Sequence, residues 1–138
     1  MSDAALTTGV EIFTLLWLAI VSISHILYPR AWASFYTRLR ELGRIGAFAH
    51  GFLALIFGSI IAAFHHVWTW PGIAVTLIGW VQVVKGAVAF IAPQLALKGF
   101  GMVSPDKAWK FRAAGAVLLL ATVWLFGLLY GSWTGVIP

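Results

Sequence analysis

Four long apolar blocks dominate the pattern of hydrophobic and polar residues along the chain. They cover residues 10–28, 45–64, 72–92 and 113–130, and short, more polar connections separate them. A helix needs ~17–25 predominantly apolar residues to cross a bilayer. The pattern therefore predicts an all-α polytopic membrane protein, in which residues 1–138 form one membrane domain with four transmembrane helices.

Composition agrees with a chain that lies almost wholly in a membrane. Of the 138 residues, 62% are hydrophobic and only 9% are charged, whereas soluble domains carry roughly 25% charged residues. The residues before the first block contain no Lys or Arg, so we expect a retained span and not a cleaved signal peptide. Because there is no cysteine, disulfides, thiolate ligands and catalytic thiols are excluded.

The basic residues predict the orientation of the chain. Except for Lys85, they all lie in the first and third connections: Arg30, Arg38, Arg40 and Arg44, then Lys98, Lys107, Lys110 and Arg112. The positive-inside rule places both connections in the cytoplasm, beside anionic lipid head groups, and both termini outside. Aromatic belts are then expected at the outer interface (Trp68, Trp70, Trp133) and at the inner interface (Trp32, Trp109). No nucleic-acid partner is predicted.

Both basic connections contain signals for a further helix. Residues 30–42 place Trp32 and other apolar residues at helical spacing against Arg38 and Arg40, which is typical of an amphipathic helix at the interface. The candidates for contact with lipid or a partner in this segment are Arg30, Trp32, Arg38 and Arg40. In the third connection, Ser104 resembles an N-cap that is followed by a proline, so we expect a helix that runs directly into the last span.

The two halves of the chain repeat one order of features. Each contains a span, a proline, a basic segment and a return span that begins after an arginine and a glycine. This order predicts two parallel-repeat helical hairpins over residues 10–66 and 72–133. The alternative is that any helical hairpin with a basic connection has this order.

A short motif in the first half resembles a known family. The stretch LYPRAW at residues 27–32, together with RIG at 44–46, is similar to the YjeT-like small bacterial inner-membrane proteins, which have two spans and no settled biochemical role. The resemblance covers residues ~16–64 and, more faintly, the second half, where only Pro93 of the motif is retained. It implies a location in a bacterial inner membrane.

Polar side chains lie along one face of the first span, and small residues along one face of the second. Glu11, Thr14, Ser22 and His25 form the polar face, which is expected to hydrogen-bond to other helices. The small-residue face contains His50, Ala54, Gly58 and Ala62. Because such faces let helices approach closely, we expect it to pack against the first span or another subunit.

Two histidines raise the alternative of a cofactor site. His25 and His50 are predicted at similar depth on neighbouring spans, as two axial ligands of haem b must be, and (bacterio)chlorophyll would also suit them. The other interpretation is that His25 makes a structural hydrogen bond. His65 and His66 are adjacent at the end of the second span and are expected at the interface.

Lys85 is the one basic residue inside a span. It is expected to extend toward lipid phosphate or to contact a partner, with Gln82 sharing its hydrogen bonds. It is predicted to lie too far from Glu11 for a direct ion pair, since ~15 Å of helix separates their depths.

Three functions remain open at the level of the sequence. The leading one is a non-catalytic accessory or scaffold subunit that packs against a larger membrane complex or forms a homo-oligomer. The second is a haem or pigment anchor that uses His25 and His50. The third is a small oligomeric transporter or channel whose path is lined by Glu11, Gln82 and Lys85. An enzyme is not expected, because the chain lacks paired carboxylates and phosphate-binding loops.

Overall fold

The computed structural model describes residues 3–101 and 103–136, which are helical throughout except for short connections. The helices are α1 (Asp3–Leu27), α2 (Pro29–Glu41), α3 (Arg44–Phe64), α4 (Ile73–Ile91), α5 (Pro93–Gly101) and α6 (Trp109–Trp133). Four of them, α1, α3, α4 and α6, are long and apolar enough to cross a membrane. The prediction of an all-α polytopic membrane protein with four spans is confirmed.

Two short helices lie at the end of the bundle that carries the basic residues, which we call the basic end. α1 and α4 each end two residues before a proline, and Pro29 and Pro93 begin α2 and α5. Proline suits the first turn of a helix, where its missing N–H has no partner to lose. α2 is the predicted interfacial helix, and it buries Ala33 and Leu39.

The prediction for residues 104–112 is wrong in one respect. The Ser104 side chain does not cap a helix, and Pro105–Lys107 forms a separate 3-10 turn before α6 begins at Trp109. The Ser104 hydroxyl instead binds the Asp106 carboxylate and, as the largest cause, holds the pKa of Asp106 below its usual value. The side chain expected to start a helix is therefore used within a turn.

The four spans pack as two antiparallel pairs that cross between the halves of the chain. α1 packs mainly against α6, and α3 packs mainly against α4. In the two halves, α1 corresponds to α4 and α3 corresponds to α6. The α1–α6 pair therefore corresponds to the α4–α3 pair. The arrangement is thus the one that a pseudo-two-fold repeat of hairpins requires, while duplication itself stays a prediction.

Glycines allow the close approach of α3 and α4. A methyl group added to Gly58 would lie 2.6 Å from the backbone nitrogen of Val83, and one added to Gly51 would lie 2.6 Å from Ala89 Cβ. On α4, Gly79 meets Ile61 in the same way. The small-residue face of the second span therefore packs against the third span, and the expectation that it meets the first span or another subunit is wrong.

The α1–α6 pair has its own close contact near the basic end. A methyl group on Gly115 would lie 2.7 Å from His25 Cβ and 2.8 Å from the Ser22 carbonyl oxygen. One turn away, Arg112 Nε donates a hydrogen bond of 3.3 Å to the Ile26 carbonyl oxygen. This bond satisfies one of the free carbonyls at the end of α1.

The buried core lies toward the opposite end of the bundle, where all four spans meet. Its members are Val10, Leu15, Ile61, Val75, Leu125 and Leu129. Large apolar side chains on the outside, such as Leu120 at 72% exposure, face the position of the lipid. Core and lipid-facing surface are both apolar, so polar contacts inside the bundle stand out.

Candidate functional site

A group of buried polar side chains lies at the end opposite the basic segments and joins all four spans. Glu11 of α1 and His65 at the end of α3 are 4% and 0% exposed. Glu11 Oε1 lies 3.3 Å from His65 Nε2, and Trp133 of α6 donates its indole N–H to Glu11 Oε2 at 2.6 Å. His65 Nδ1 lies 2.8 Å from the hydroxyl of Thr76 on α4. We call Glu11, His65, Thr76 and Trp133 the polar network.

Hydrogen-bond donors in the polar network can be assigned from its geometry. The Thr76 hydroxyl has one hydrogen, which it donates to the Val67 carbonyl oxygen at 2.8 Å. It must therefore accept from His65, so Nδ1 carries a proton. A hydrogen bond between Nε2 and the Glu11 carboxyl group then needs one further proton between them, whether it resides on nitrogen or on oxygen.

The line of carboxyl, imidazole and hydroxyl groups resembles a hydrolytic triad only in its composition. In such a triad the histidine accepts the hydroxyl proton, whereas here His65 donates to Thr76. Thr76 is also fully buried, so its oxygen is closed to a substrate. The geometry is that of a structural network, with four helices tied by satisfied hydrogen bonds.

Other polar residues of the first span do not make the predicted bonds to other helices. Thr14, Ser22 and His25 each bond to the carbonyl oxygen four residues earlier on α1, with His25 Nδ1 2.7 Å from Val21 O. A hydroxyl or imidazole group in an apolar bundle can satisfy itself in this way without a partner helix. The structural hydrogen bond expected for His25 is present, and interhelical bonding by this face is limited to Glu11.

A second feature is a lateral groove of about 620 Å³ near the basic end. One wall of this groove is a face of α4 formed by Leu77, Trp80, Val81, Val84, Lys85 and Val88. Trp80, Val81 and Val84 are 46–60% exposed, so the groove opens sideways to the position of the lipid. Helix α5 covers the groove at the basic end, through residues that include Gly99 and Phe100. We call it the Lys85 groove.

Polar groups are confined to one end of the Lys85 groove. Tyr36 of α2 and His50 of α3 join Lys85 there. Within the described parts of the chain, none of the three side chains has a hydrogen-bond or ion-pair partner, and no polar side-chain atom is both buried and unsatisfied. The polar atoms of Tyr36 and His50 are therefore accessible. Burial raises the pKa of Tyr36, so its phenol stays a hydrogen-bond donor at neutral pH.

The structure does not bring His25 and His50 to one cavity. His50 faces the Lys85 groove, whereas His25 lines a separate cavity of about 270 Å³ beside Lys107 and Lys110. A continuous series of rings joins them: His25 lies 5.6 Å from Phe111, Phe111 5.7 Å from Tyr36, and Tyr36 5.7 Å from His50. A haem or chlorophyll ring needs an open slot at that position, so the residues present do not fit the proposed ligand pair.

The remaining candidate residues lie apart from one another. Gln82 packs its Cβ toward Gly58 of α3, and the described residues show no hydrogen bond between Gln82 and Lys85. Glu11 belongs to the polar network and Lys85 to the groove, so no common path is lined by both. Ala54 is buried and Ala62 is half-buried on α3.

Of the residues expected to contact lipid or a partner at the basic end, most but not all are exposed. Arg30 and Arg40 are exposed, and Arg38 forms an exposed ion pair of 2.9 Å with Glu41. Trp32, however, is half-buried: it stacks on His25 at 4.2 Å and donates to the Ser24 hydroxyl at 2.9 Å. Part of its ring therefore packs on α1, and its place in the inner aromatic belt stays a prediction.

Sequence reasoning missed the partners of Glu11. His65 was expected at the interface beside His66, and Trp133 in an outer aromatic belt, but both belong to the polar network. A histidine and a tryptophan at the ends of spans are typical of interfaces, so their type gave no signal. The carboxylate of Glu11 in an apolar span did give a signal, because an ionisable group there is costly without hydrogen-bond or ion-pair partners.

No family model matches this chain, and no curated protein or solved structure matches it significantly. The fold by itself defines the class, an all-α polytopic membrane protein with four spans. Within that class, the groove and the polar network are the two features that a function can use.

Proposed function

We propose that this chain is a non-catalytic accessory protein of the membrane that holds one amphipathic molecule in the Lys85 groove. The observation that carries the proposal is the division of the groove into an apolar length and a polar end. Leu77, Trp80 and Val81 form the apolar length, and Tyr36, His50 and Lys85 form the polar end. An amphiphile with its head at the basic end would match both parts.

The size of the groove also supports an amphiphile. A volume of about 620 Å³ falls within the ~300–1,000 Å³ of small-molecule sites. Along α4, the lining runs from Leu77 to Val88, a distance of ~16 Å at 1.5 Å per residue. A single apolar chain can lie along that length.

The faces that first suggested a protein partner no longer support one. The polar face of α1 bonds to its own carbonyls, and the small-residue face of α3 is covered by α4. What supports an accessory role is the groove of about 620 Å³ that opens on the lateral surface.

Mass spectrometry of the purified protein tests the proposal. Gly99 lines the groove, and a Cβ added there meets nothing within 4 Å, so we expect Gly99→Phe to obstruct the groove with its ring. Gly127 on α6 is equally free but lies outside the groove, and Gly127→Phe is the matched control. Wild type and Gly127→Phe should retain about one amphiphile per chain, and Gly99→Phe should lose it. Equal retention by all three proteins would refute the proposal.

The proposal also covers the membrane in which the protein lies and its orientation in that membrane. The resemblance of residues ~16–64 to YjeT-like proteins supports a bacterial inner membrane, and the distribution of Lys and Arg supports a basic end in the cytoplasm. Because the chain has no cysteine, single variants Ser104→Cys and Thr134→Cys can be labelled with an impermeant maleimide in intact cells. Labelling of Thr134→Cys alone supports this orientation, and labelling of Ser104→Cys alone contradicts it.

A further inference from the structure

We infer that the molecule held in the Lys85 groove is a long-chain carboxylate, with its head group bound by the Lys85 ammonium. This inference rests on the proposed function, because it names the chemical class of the ligand in the same groove. Three observations carry it: the charge at the polar end, the cover that α5 provides, and the shape of the apolar length.

Charge is the first observation. Lys85 lies in the lining of the groove, and within residues 3–101 and 103–136 no carboxylate forms an ion pair with it. Glu11, the acid in the interior of α1, is already occupied by His65 and Trp133. A cation among apolar side chains is costly unless an anion joins it, so the groove is complementary to a ligand with one negative charge.

Hydrogen-bonding capacity agrees with a carboxylate. The ammonium group offers three donors, and a carboxylate oxygen accepts charge-assisted hydrogen bonds of this kind. The accessible phenol of Tyr36 and the imidazole of His50 line the same end and can donate to the second oxygen. A neutral head group such as an alcohol would leave the Lys85 charge without a counter-charge.

The position of the polar end favours a compact head group. Lys85 lies six residues before the end of α4 at Ile91, which places its Cα ~9 Å inside that helix end. Leu95, Ala96, Gly99 and Phe100 of α5 lie over this region. A carboxylate is small enough to reach Lys85 at this depth beside apolar side chains, whereas a larger and more polar phospholipid head group is costly there.

The apolar length favours a single chain. The lining above Lys85 consists of one row of α4 side chains, including Val84, Val81, Trp80 and Leu77. One acyl chain can lie along this row, which extends ~12 Å from Lys85 to Leu77. The aromatic face of Trp80 and the branched valines supply contact area without hydrogen bonds, as apolar ligand chains require.

A binding competition in detergent micelles tests the inference, with palmitate and hexadecan-1-ol as probes of equal chain length. Wild type should bind palmitate about tenfold more tightly than the alcohol, the difference expected of one charge-assisted hydrogen-bonded pair. Lys85→Gln should lower palmitate affinity to that of the alcohol, and Lys85→Arg should retain most of the preference. Lys98→Gln removes a cation of α5 that does not line the groove and should leave the preference unchanged.

Each outcome separates this inference from the proposed function. If Gly99→Phe blocks both probes but wild type binds them equally, the groove binds amphiphiles and the carboxylate assignment is wrong. If phosphatidylglycerol displaces palmitate and its binding depends on Lys85, the ligand is a phospholipid and the assignment is again wrong. If Gly99→Phe changes the binding of none of these probes, the proposed function fails as well. Far-UV circular dichroism of each variant checks that the helices are intact.

Discussion

The polar network allows a sharp prediction about Glu11. If one shared proton holds Glu11 and His65 together, Glu11→Gln can keep every hydrogen bond. The amide oxygen would accept from Trp133, and the amide NH₂ would donate to His65 Nε2, because Nδ1 already donates to Thr76. We expect a loss of less than about 1 kcal/mol in the free energy of unfolding, the scale of one hydrogen bond in a membrane protein.

Apolar substitutions of Glu11 and His65 should lower the free energy of unfolding by more than Glu11→Gln does. The size of each loss depends on which polar groups are left without a partner. Glu11→Leu removes the acceptor at 2.6 Å from Trp133 and the partner at 3.3 Å from His65, and two lost bonds at ~0.6–1.7 kcal/mol each give about 1–3 kcal/mol. His65→Leu leaves the Glu11 carboxyl group buried with only Trp133, and a buried polar group left without its partner costs about 1–3 kcal/mol. The double variant Glu11→Leu/His65→Leu leaves neither an unpaired carboxyl nor an unpaired imidazole group, so its loss should be smaller than the sum of the two.

Unfolding of the purified protein by SDS, followed by far-UV circular dichroism, measures these differences. Ser22→Ala is the control on the same helix, because Ser22 is fully buried but bonds only to its own helix, and it should change stability by less than about 1 kcal/mol. The reasoning is refuted if Glu11→Gln is as damaging as Glu11→Leu, or if the two apolar substitutions are additive.

Three further predictions address packing and titration. Gly58→Leu should destabilise the protein by several-fold more than Gly127→Leu in the same SDS assay, because Gly58 faces the α4 backbone at 2.6 Å while Gly127 is unobstructed. Burial raises the pKa of Tyr36 above the usual value of about 10. The folded state therefore holds that proton more tightly, so stability should fall as the pH rises above about 10, less so in Tyr36→Phe. Ser104→Ala should raise the pKa of Asp106 toward its usual value in an NMR titration, since the Ser104 hydroxyl stabilises the carboxylate; an unchanged pKa would exclude that bond.

The spans and interfacial breaks could be predicted from the sequence because their causes are local. A run of about twenty apolar residues is enough to predict a membrane helix. Pro29 and Pro93 interrupt the helices because the proline ring and its missing N–H are incompatible with a helix interior. The first span nonetheless begins at Asp3 and the last ends at Trp133, beyond the apolar blocks, because helical hydrogen bonds continue past the hydrophobic residues.

The polar contacts could not be predicted in the same way, because their causes are distant in sequence. Glu11 and His65 meet only because α1 packs on α6 while α3 ends beside them, and no pattern within either span specifies that register. Ser22 had two acceptable partners, another helix or the carbonyl oxygen four residues earlier, and it bonds to Leu18 of its own helix. The groove likewise depends on where α5 folds back over α4.

The crossed pairing of the spans has a consequence for the connectivity of the chain. Each half places its first span against the last span of the other half, so the covalent link between the halves, which follows Val67, is not needed to hold them together. A circular permutant that begins with α4, passes from α6 to α1 through a new linker and ends with α3 keeps both helix pairs. Such a permutant reverses the order of the halves, and the same rule predicts that the two halves, expressed as separate polypeptides, reassemble into the intact bundle.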